Sequence, residues 1–275
     1  MGKNSAIGWC NHTFNIVWGC TKIAPGCANC YAERESTRFG WDVWGPDKER
    51  RVLSDKYWRE PLRWNTAAEV VGKKALVFCG SMCDWLEDHP TVNEQRARLW
   101  PLIKETPWLT WLLLTKRIEN FEPMIINRSI DNAAAIGWKN LPRNIMLGIS
   151  AGVQEIYDKK WPILQGLSAG MDIPTFVSLE PLLEPINLDI CYNFYSQALL
   201  PDWIIVGGES GPKARPMKEE WVIDIIKQAG NTPVFVKQMG DHWHKRFKQL
   251  AWPPDKNFLP DTVRVQKFPQ EARHD

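Results

Sequence analysis

Seven short apolar runs, each closed by small or polar residues, constrain this chain more than any other feature. They are Phe14–Trp18, Ala75–Cys79, Trp111–Leu114, Ile145–Ile149, Thr175–Leu179, Trp203–Val206 and Val234–Val236. Most are rich in β-branched and aromatic residues and lack polar alternation, which is how strands buried on both faces read. Helical patterns lie between several of them. Pro90 to Lys104 reads as a helix with Thr91 as its cap and Glu94 three residues on, the spacing of a capping box. Val153 to Leu167 is helix-like, and Lys218 to Gln228 keeps Trp221, Val222, Ile225 and Ile226 on one face. Strand–helix alternation predicts a parallel sheet. Seven strands at this spacing predict an α/β fold of the (β/α) TIM-like kind, complete or partial, with a doubly wound open sheet as the alternative.

Polar residues collect where these runs stop: Cys20, Ser81 and Asp84, Thr115 and Lys116, Ser150, Glu180, Glu209 and Ser210, Lys237 and Gln238. In a parallel α/β barrel the carboxyl ends of the strands open onto one face, where active sites form. Simple strand termination would also produce polar ends, but seven of them in register favour a shared site. Residues 1–275 read as one domain. It carries a polar, Trp-rich insertion at about 34–65 and a Pro-rich tail at about 243–275, with Pro253, Pro254, Pro260 and Pro269.

A net charge of +2 and the absence of a long basic run give no electrostatic argument for nucleic acid. No apolar stretch reaches the length of a membrane span, and the first residues hold no apolar signal core, so a cytoplasmic protein is expected. The sixteen tryptophans read first as packing residues and only second as a stacking platform. Seven cysteines in a reducing compartment point to metal binding or catalysis rather than disulfides.

Three of those cysteines, Cys20, Cys27 and Cys30, fall within eleven residues on a loop that contains Pro25 and Gly26. Thiolates are the soft ligands of iron–sulfur clusters, and three of them leave one iron with an open position. A tight three-cysteine loop after the first strand of a (β/α) barrel resembles the radical S-adenosylmethionine (SAM) superfamily. The first gap is six residues long, where the common motif there has three. The wider set of segments WGCTKIAPGCANCYAE, SMCDW, LLTKR, LGIS, SLEPLL, VGGESGPKARPM and VFVKQMGD, from residue 18 to 241, is similar to a phage- and prophage-associated family with a three-cysteine motif.

The resemblance implies a [4Fe–4S] cluster on Cys20, Cys27 and Cys30, with SAM at the open iron. It implies generation of a 5′-deoxyadenosyl radical, and an electron donor such as flavodoxin or ferredoxin. A nucleotide or nucleic-acid base is the expected substrate, and no membrane partner is expected. Ser81, Asp84, Gly207, Gly208 and Glu209 are the candidate SAM contacts, and Glu209, Lys116 and Glu180 the candidate catalytic residues. Gly207-Gly208-Glu209 resembles the superfamily's Gly-Gly-Glu element that meets SAM's amino group. The residues alone also allow a tight turn there, and a charged helix start at Asp84, Glu87 and Asp88.

Two other functions fit the residues. Cys10, beside His12, could complete a four-cysteine zinc site in a non-enzymatic module that contacts nucleic acid. Alternatively, Asp84, Glu180 and Glu209 could hold a divalent metal in a nuclease or other hydrolase. Cys79, Cys83 and Cys191 read as inert thiols. Arg117, Lys213 and Arg215 read as anion holders or surface ion pairs, and His242 and His244 as a base, a metal pair or surface residues.

Overall fold

The computed structural model describes residues 5, 7–126, 136–192, 198–243, 259 and 261–269. His244, Pro253, Pro254 and Pro260 lie outside the described residues. The main sheet has seven strands: β1 (His12–Phe14), β4 (Ala75–Cys79), β5 (Leu109–Thr115), β6 (Ile145–Ser150), β7 (Thr175–Leu179), β8 (Trp203–Gly207) and β9 (Val234–Gln238). They lie side by side in the order in which the chain makes them. Every residue of β6, β7 and β8 is buried, so these strands are covered on both faces, as their lack of regular polar alternation requires. A doubly wound sheet reverses its strand order at a switch point. This sheet does not, so its topology is that of a partial (β/α) barrel.

The chain divides into two compact units, Met1–Ile23 with Ala32–Gly148 and Ala169–Ile173, and Ala24–Tyr31 with Ile149–Ser168 and Pro174–Asp275. In the first, β1, β4 and β5 pair in parallel, His12 opposite Val77 and Val77 opposite Trp111. In the second, β7, β8 and β9 do the same, Val177 opposite Ile204 and Ile204 opposite Val234.

The first apolar run corrects the expectation. It is not one strand: the parallel strand stops at Phe14, and β2 (Val17–Trp18) pairs antiparallel with β3 (Arg51–Val52) in a separate two-stranded sheet. Asn15 makes the break. Its backbone N–H goes to the Tyr57 hydroxyl at 2.8 Å instead of a strand. Its carboxamide accepts from Met82 N at 2.6 Å and donates to Ser81 Oγ at 3.0 Å. The predicted insertion supplies that hydroxyl; it begins within α1 (Tyr31–Arg38), contains β3 and α2 (Asp55–Trp58), and ends within α3 (Glu60–Val71).

Three further helices complete the main elements: α4 (Pro90–Lys104), α5 (Gln154–Met171) and α6 (Glu219–Ala229). Helix α4 has the predicted bounds but not the predicted cap. Pro90, with its preset φ, takes the first helical position, so the cap falls to His89, whose Nδ1 accepts from Thr91 N at 3.2 Å. Helix α6 buries Val222 and Ile225 as expected, with Trp221 and Ile226 half-buried beside them.

Most of the described tryptophans are core. Trp9, Trp58, Trp64, Trp85, Trp100, Trp111, Trp161 and Trp203 are buried. Phe14 sits at the centre of one aromatic cluster, 5.0 Å from the Tyr57 ring, 5.1 Å from Trp58 and 5.4 Å from Trp111. Truncating Phe14 removes a fully buried ring and leaves three others facing a void. Phe14→Ala is expected to lower stability by about 3–5 kcal/mol, read as a shift in the urea midpoint at unchanged slope.

Candidate active site

In the first unit the strand ends carry a buried charge network. Asp84 follows β4 and accepts four hydrogen bonds. Its Oδ1 takes Thr115 Oγ1 at 2.6 Å and Leu86 N at 3.1 Å, and its Oδ2 takes Lys116 N at 2.9 Å and Arg117 Nη1 at 3.0 Å. Arg117 also donates to the Thr21 carbonyl at 2.7 Å and reaches Glu87 at 3.5 Å. Glu87 takes Arg50 through both Nε and Nη2 at 2.9 Å, and Thr21 N at 2.9 Å. Arg50 adds bonds to Thr21 Oγ1 and to the carbonyls of Val43, Gly45 and Lys48. Two carboxylates and two guanidiniums balance to zero, and all four residues are buried.

The network grips the residue after Cys20 from both sides: Glu87 holds the Thr21 N–H and Arg117 its carbonyl. Arg117 Nη1 also points at Cys20 Sγ, 3.5 Å away. Burial, and then the Asp84 charge, push the Cys20 thiol up to about 12, with Arg117 pulling the other way. A free Cys20 is therefore a thiol at neutral pH and a poor nucleophile. Burial likewise raises Cys79 and Cys83. Cys10 is buried and donates to the Ile7 carbonyl, and His12 stacks on Trp64 with ring centroids 4.4 Å apart.

In the second unit two groups form at the strand ends. Glu180, after β7, pairs with Lys237 of β9 at 2.9 Å and accepts from Ser178 Oγ at 3.1 Å, while Ser150 Oγ donates to its carbonyl. Gly207 lies against that carboxylate: a Cβ there would sit 2.8 Å from Glu180 Oε1. At Gly208 a Cβ would meet the Met239 carbonyl at 2.3 Å. In this structure the two glycines admit neighbouring protein atoms.

Glu209 is buried and fully engaged. Its Oε2 accepts from Arg215 N at 2.8 Å, Arg215 Nε at 3.0 Å and Asn29 Nδ2 at 2.9 Å, and its Oε1 from Arg215 Nη2 at 2.5 Å. Burial would raise this carboxyl, but the bonds from Arg215 and Asn29 outweigh it and hold Glu209 below the usual carboxylate range. His242 is exposed.

The candidates thus fall into distinct settings. Asp84 gathers Thr115, the Lys116 backbone and Arg117, and Ser81 is bound to Asn15. Glu180 gathers Lys237 and Gly207, and Glu209 gathers Arg215 and Asn29. Arg50 and Asn29 escaped the sequence reading, and Glu87 was read as a helix start. Only the position of Asn29 between two candidate ligands marked it. The donors Cys20, Cys27 and Cys30 are half-buried sulfurs, chemically suited to a cluster. Among the described residues, no three His, Cys, Asp or Glu side chains are gathered as a metal-holding group. No described helix is long and apolar enough to cross a membrane.

Fold and strand ends together define an α/β protein of partial-barrel topology with charged residues at the carboxyl ends of its strands. More specifically, the chain belongs to the family of proteins of unknown function DUF5131, whose model matches residues 4–271. No curated protein matches it. Two solved structures of spore photoproduct lyase mutants are similar to it, one of them with bound AdoMet and a dinucleoside spore photoproduct. Each is 10% identical, with TM-scores of 0.43 and 0.44, and each match covers 84% of this chain. The chain spans 64% of the length of those structures.

Removing one charge from the buried network strands its partner. Glu87→Ala leaves Arg50, whose side chain is 1% exposed, without its carboxylate, and is expected to cost about 3–5 kcal/mol in chemical denaturation. The double variant Arg50→Met with Glu87→Leu should recover most of that loss while loosening Thr21, visible as faster amide exchange at residues 20–22.

Proposed function

We propose that this chain is an iron–sulfur enzyme of the radical SAM type, with Cys20, Cys27 and Cys30 as the ligands of a [4Fe–4S] cluster, SAM as its cosubstrate, and a nucleotide or nucleic-acid base as its substrate. The observation that carries this reading is the buried Asp84–Arg117–Glu87–Arg50 network. It fixes both backbone groups of Thr21, beside Cys20, and directs a guanidinium N–H at the Cys20 sulfur. N–H donors to ligand sulfur tune iron–sulfur centres. When reduced, such a cluster supplies the electron that splits bound SAM into methionine and a 5′-deoxyadenosyl radical.

The chain's own residues divide the remaining work. Ser81, bonded to Asn15, and Asp84, bonded to Arg117, fix the chain after β4. Gly207 admits the Glu180 carboxylate and Gly208 lets the ends of β8 and β9 pack closely. Lys116, Glu180 and Lys237 are half-buried, with chemistry suited to a phosphate or carboxylate on the cations and to a hydroxyl on Glu180. A flavodoxin or ferredoxin is the class of electron donor this chemistry needs.

The hydrolase alternative is less well supported, because each of its three carboxylates already faces a cation: Asp84 has Arg117, Glu209 has Arg215 and Glu180 has Lys237. The four-cysteine zinc alternative needs Cys10, whose thiol is directed to the Ile7 carbonyl.

Anaerobic purification is the test. The protein should be brown, with about four irons and matching sulfide. Cys27→Ala should lose the iron and Cys10→Ala keep it. Dithionite with SAM should yield 5′-deoxyadenosine from the wild type and none from Cys30→Ala. A colourless protein holding one zinc, lost in Cys10→Ala as well, would overturn the reading.

A further inference from the structure

The segment between the second and third cysteines is clamped from the end of β8. Asn29, between Cys27 and Cys30, donates from one Nδ2 to Glu209 Oε2 at 2.9 Å and to the Lys213 carbonyl at 3.0 Å. Arg215, which grips Glu209 through its backbone N–H and its guanidinium, reaches on to the Pro25 carbonyl at 3.1 Å. Pro25 opens the single helical turn that ends at Cys27, where Cys27 N returns to the Ala24 carbonyl at 2.8 Å. Gly26 packs against Pro181, with room for a Cβ only 3.3 Å from Pro181 Cδ. The loop is thus held before Cys27 and between Cys27 and Cys30.

The anchor is itself fixed. Glu209 is 4% exposed, its carbonyl accepts from Asp241 N at 3.0 Å, and Gly208 N donates to the Gln238 carbonyl at 2.9 Å. All its carboxylate bonds come from Arg215 and Asn29. A carboxylate so saturated, with its charge matched by one guanidinium, has little left to offer an incoming ammonium group.

We infer that Glu209, through Arg215 and Asn29, is a positioning residue that holds the Cys27–Cys30 loop in its ligating shape, and that it is not a contact for SAM. The inference rests on the cluster reading for its purpose, but the clamp itself can be tested without metal. Hydrogen exchange on the metal-free full-length chain should show residues 24–31 exchanging about tenfold faster in Asn29→Ala and in Glu209→Gln than in the wild type, the loss expected for a charge-assisted bond. The rest of the chain should be unchanged. Asn29 is half-buried, so its variant guards against a folding defect at Glu209.

In anaerobically reconstituted protein, both variants should surrender iron to a chelator about tenfold faster and show a broadened electron paramagnetic resonance signal, with SAM affinity per intact cluster unchanged. Arg215→Lys, keeping the charge but not the fork, should fall between. Unaltered exchange at residues 24–31 in both variants would overturn the inference. So would a Glu209→Gln protein with normal exchange and iron retention but lost SAM binding. If the wild type binds no iron, the cluster reading fails, and the exchange result alone decides whether the clamp exists.

Discussion

The geometry around Cys20 depends on one buried interaction, the fork of Arg50 on Glu87. Arg50 places hydrogen bonds on Glu87, on Thr21 and on carbonyls of the segment from Val43 to Lys48. It therefore ties the loop after α1 to the end of β4 and to the residue after Cys20 in a single side chain. Desolvating two arginines and two acids is costly, and such groups are often no more stabilising than well-packed apolar residues of the same volume. What they provide is direction. An apolar core would tolerate several arrangements of Thr21, whereas bonds to both its N–H and its carbonyl allow one. This is the level of order that ligating residues need when misplacement by an ångström matters.

The sheet was readable in the sequence because burial on both faces leaves a strong mark. β6, β7 and β8 are buried at every position and mostly apolar, and their runs matched the strands within a residue or so. The first run misled for a local reason. Phe14 to Trp18 is apolar enough to be one strand, but Asn15 in its middle is a buried polar residue whose partners, Tyr57, Ser81 and Met82, lie far along the chain. Nothing within a window of a few residues reveals that its amide would leave the ladder. The cap of α4 failed for a smaller reason: a proline at the first helical position puts the cap two residues before Thr91, and His89 is an uncommon cap.

The candidate site was legible as a set of residue types at strand ends but not as a set of partnerships. Asp84, Glu180 and Glu209 were each marked as available acids, and each is held by a cation: Arg117, Lys237 and Arg215. Arg215 is only six residues on from Glu209, yet proximity alone does not separate an ion pair from two exposed charges, and Arg117 is thirty-three residues on from Asp84. Arg50 and Glu87 were harder, being thirty-seven residues apart and joined only by the way the loop after α1 returns to β4. Buried ion pairs between distant segments leave no periodic signal, so a single sequence hides them.

The glycines make the same point from the other side. Gly207-Gly208 after a strand reads as space made for a ligand, and glycine there is indeed required. The atoms that require it in this structure are the Glu180 carboxylate and the Met239 carbonyl. A side chain at Gly207 would displace Glu180 from Lys237, and one at Gly208 would push apart the ends of β8 and β9. Either shift would move Glu209, which follows directly, and with it the bonds to Asn29 and Arg215. The strand-end glycines, the Glu180–Lys237 pair and the Glu209 clamp are therefore mechanically one assembly. Its output is the position of a short loop bearing two thiols, which is why glycine at these two positions is as much a matter of the loop's shape as of room for a ligand.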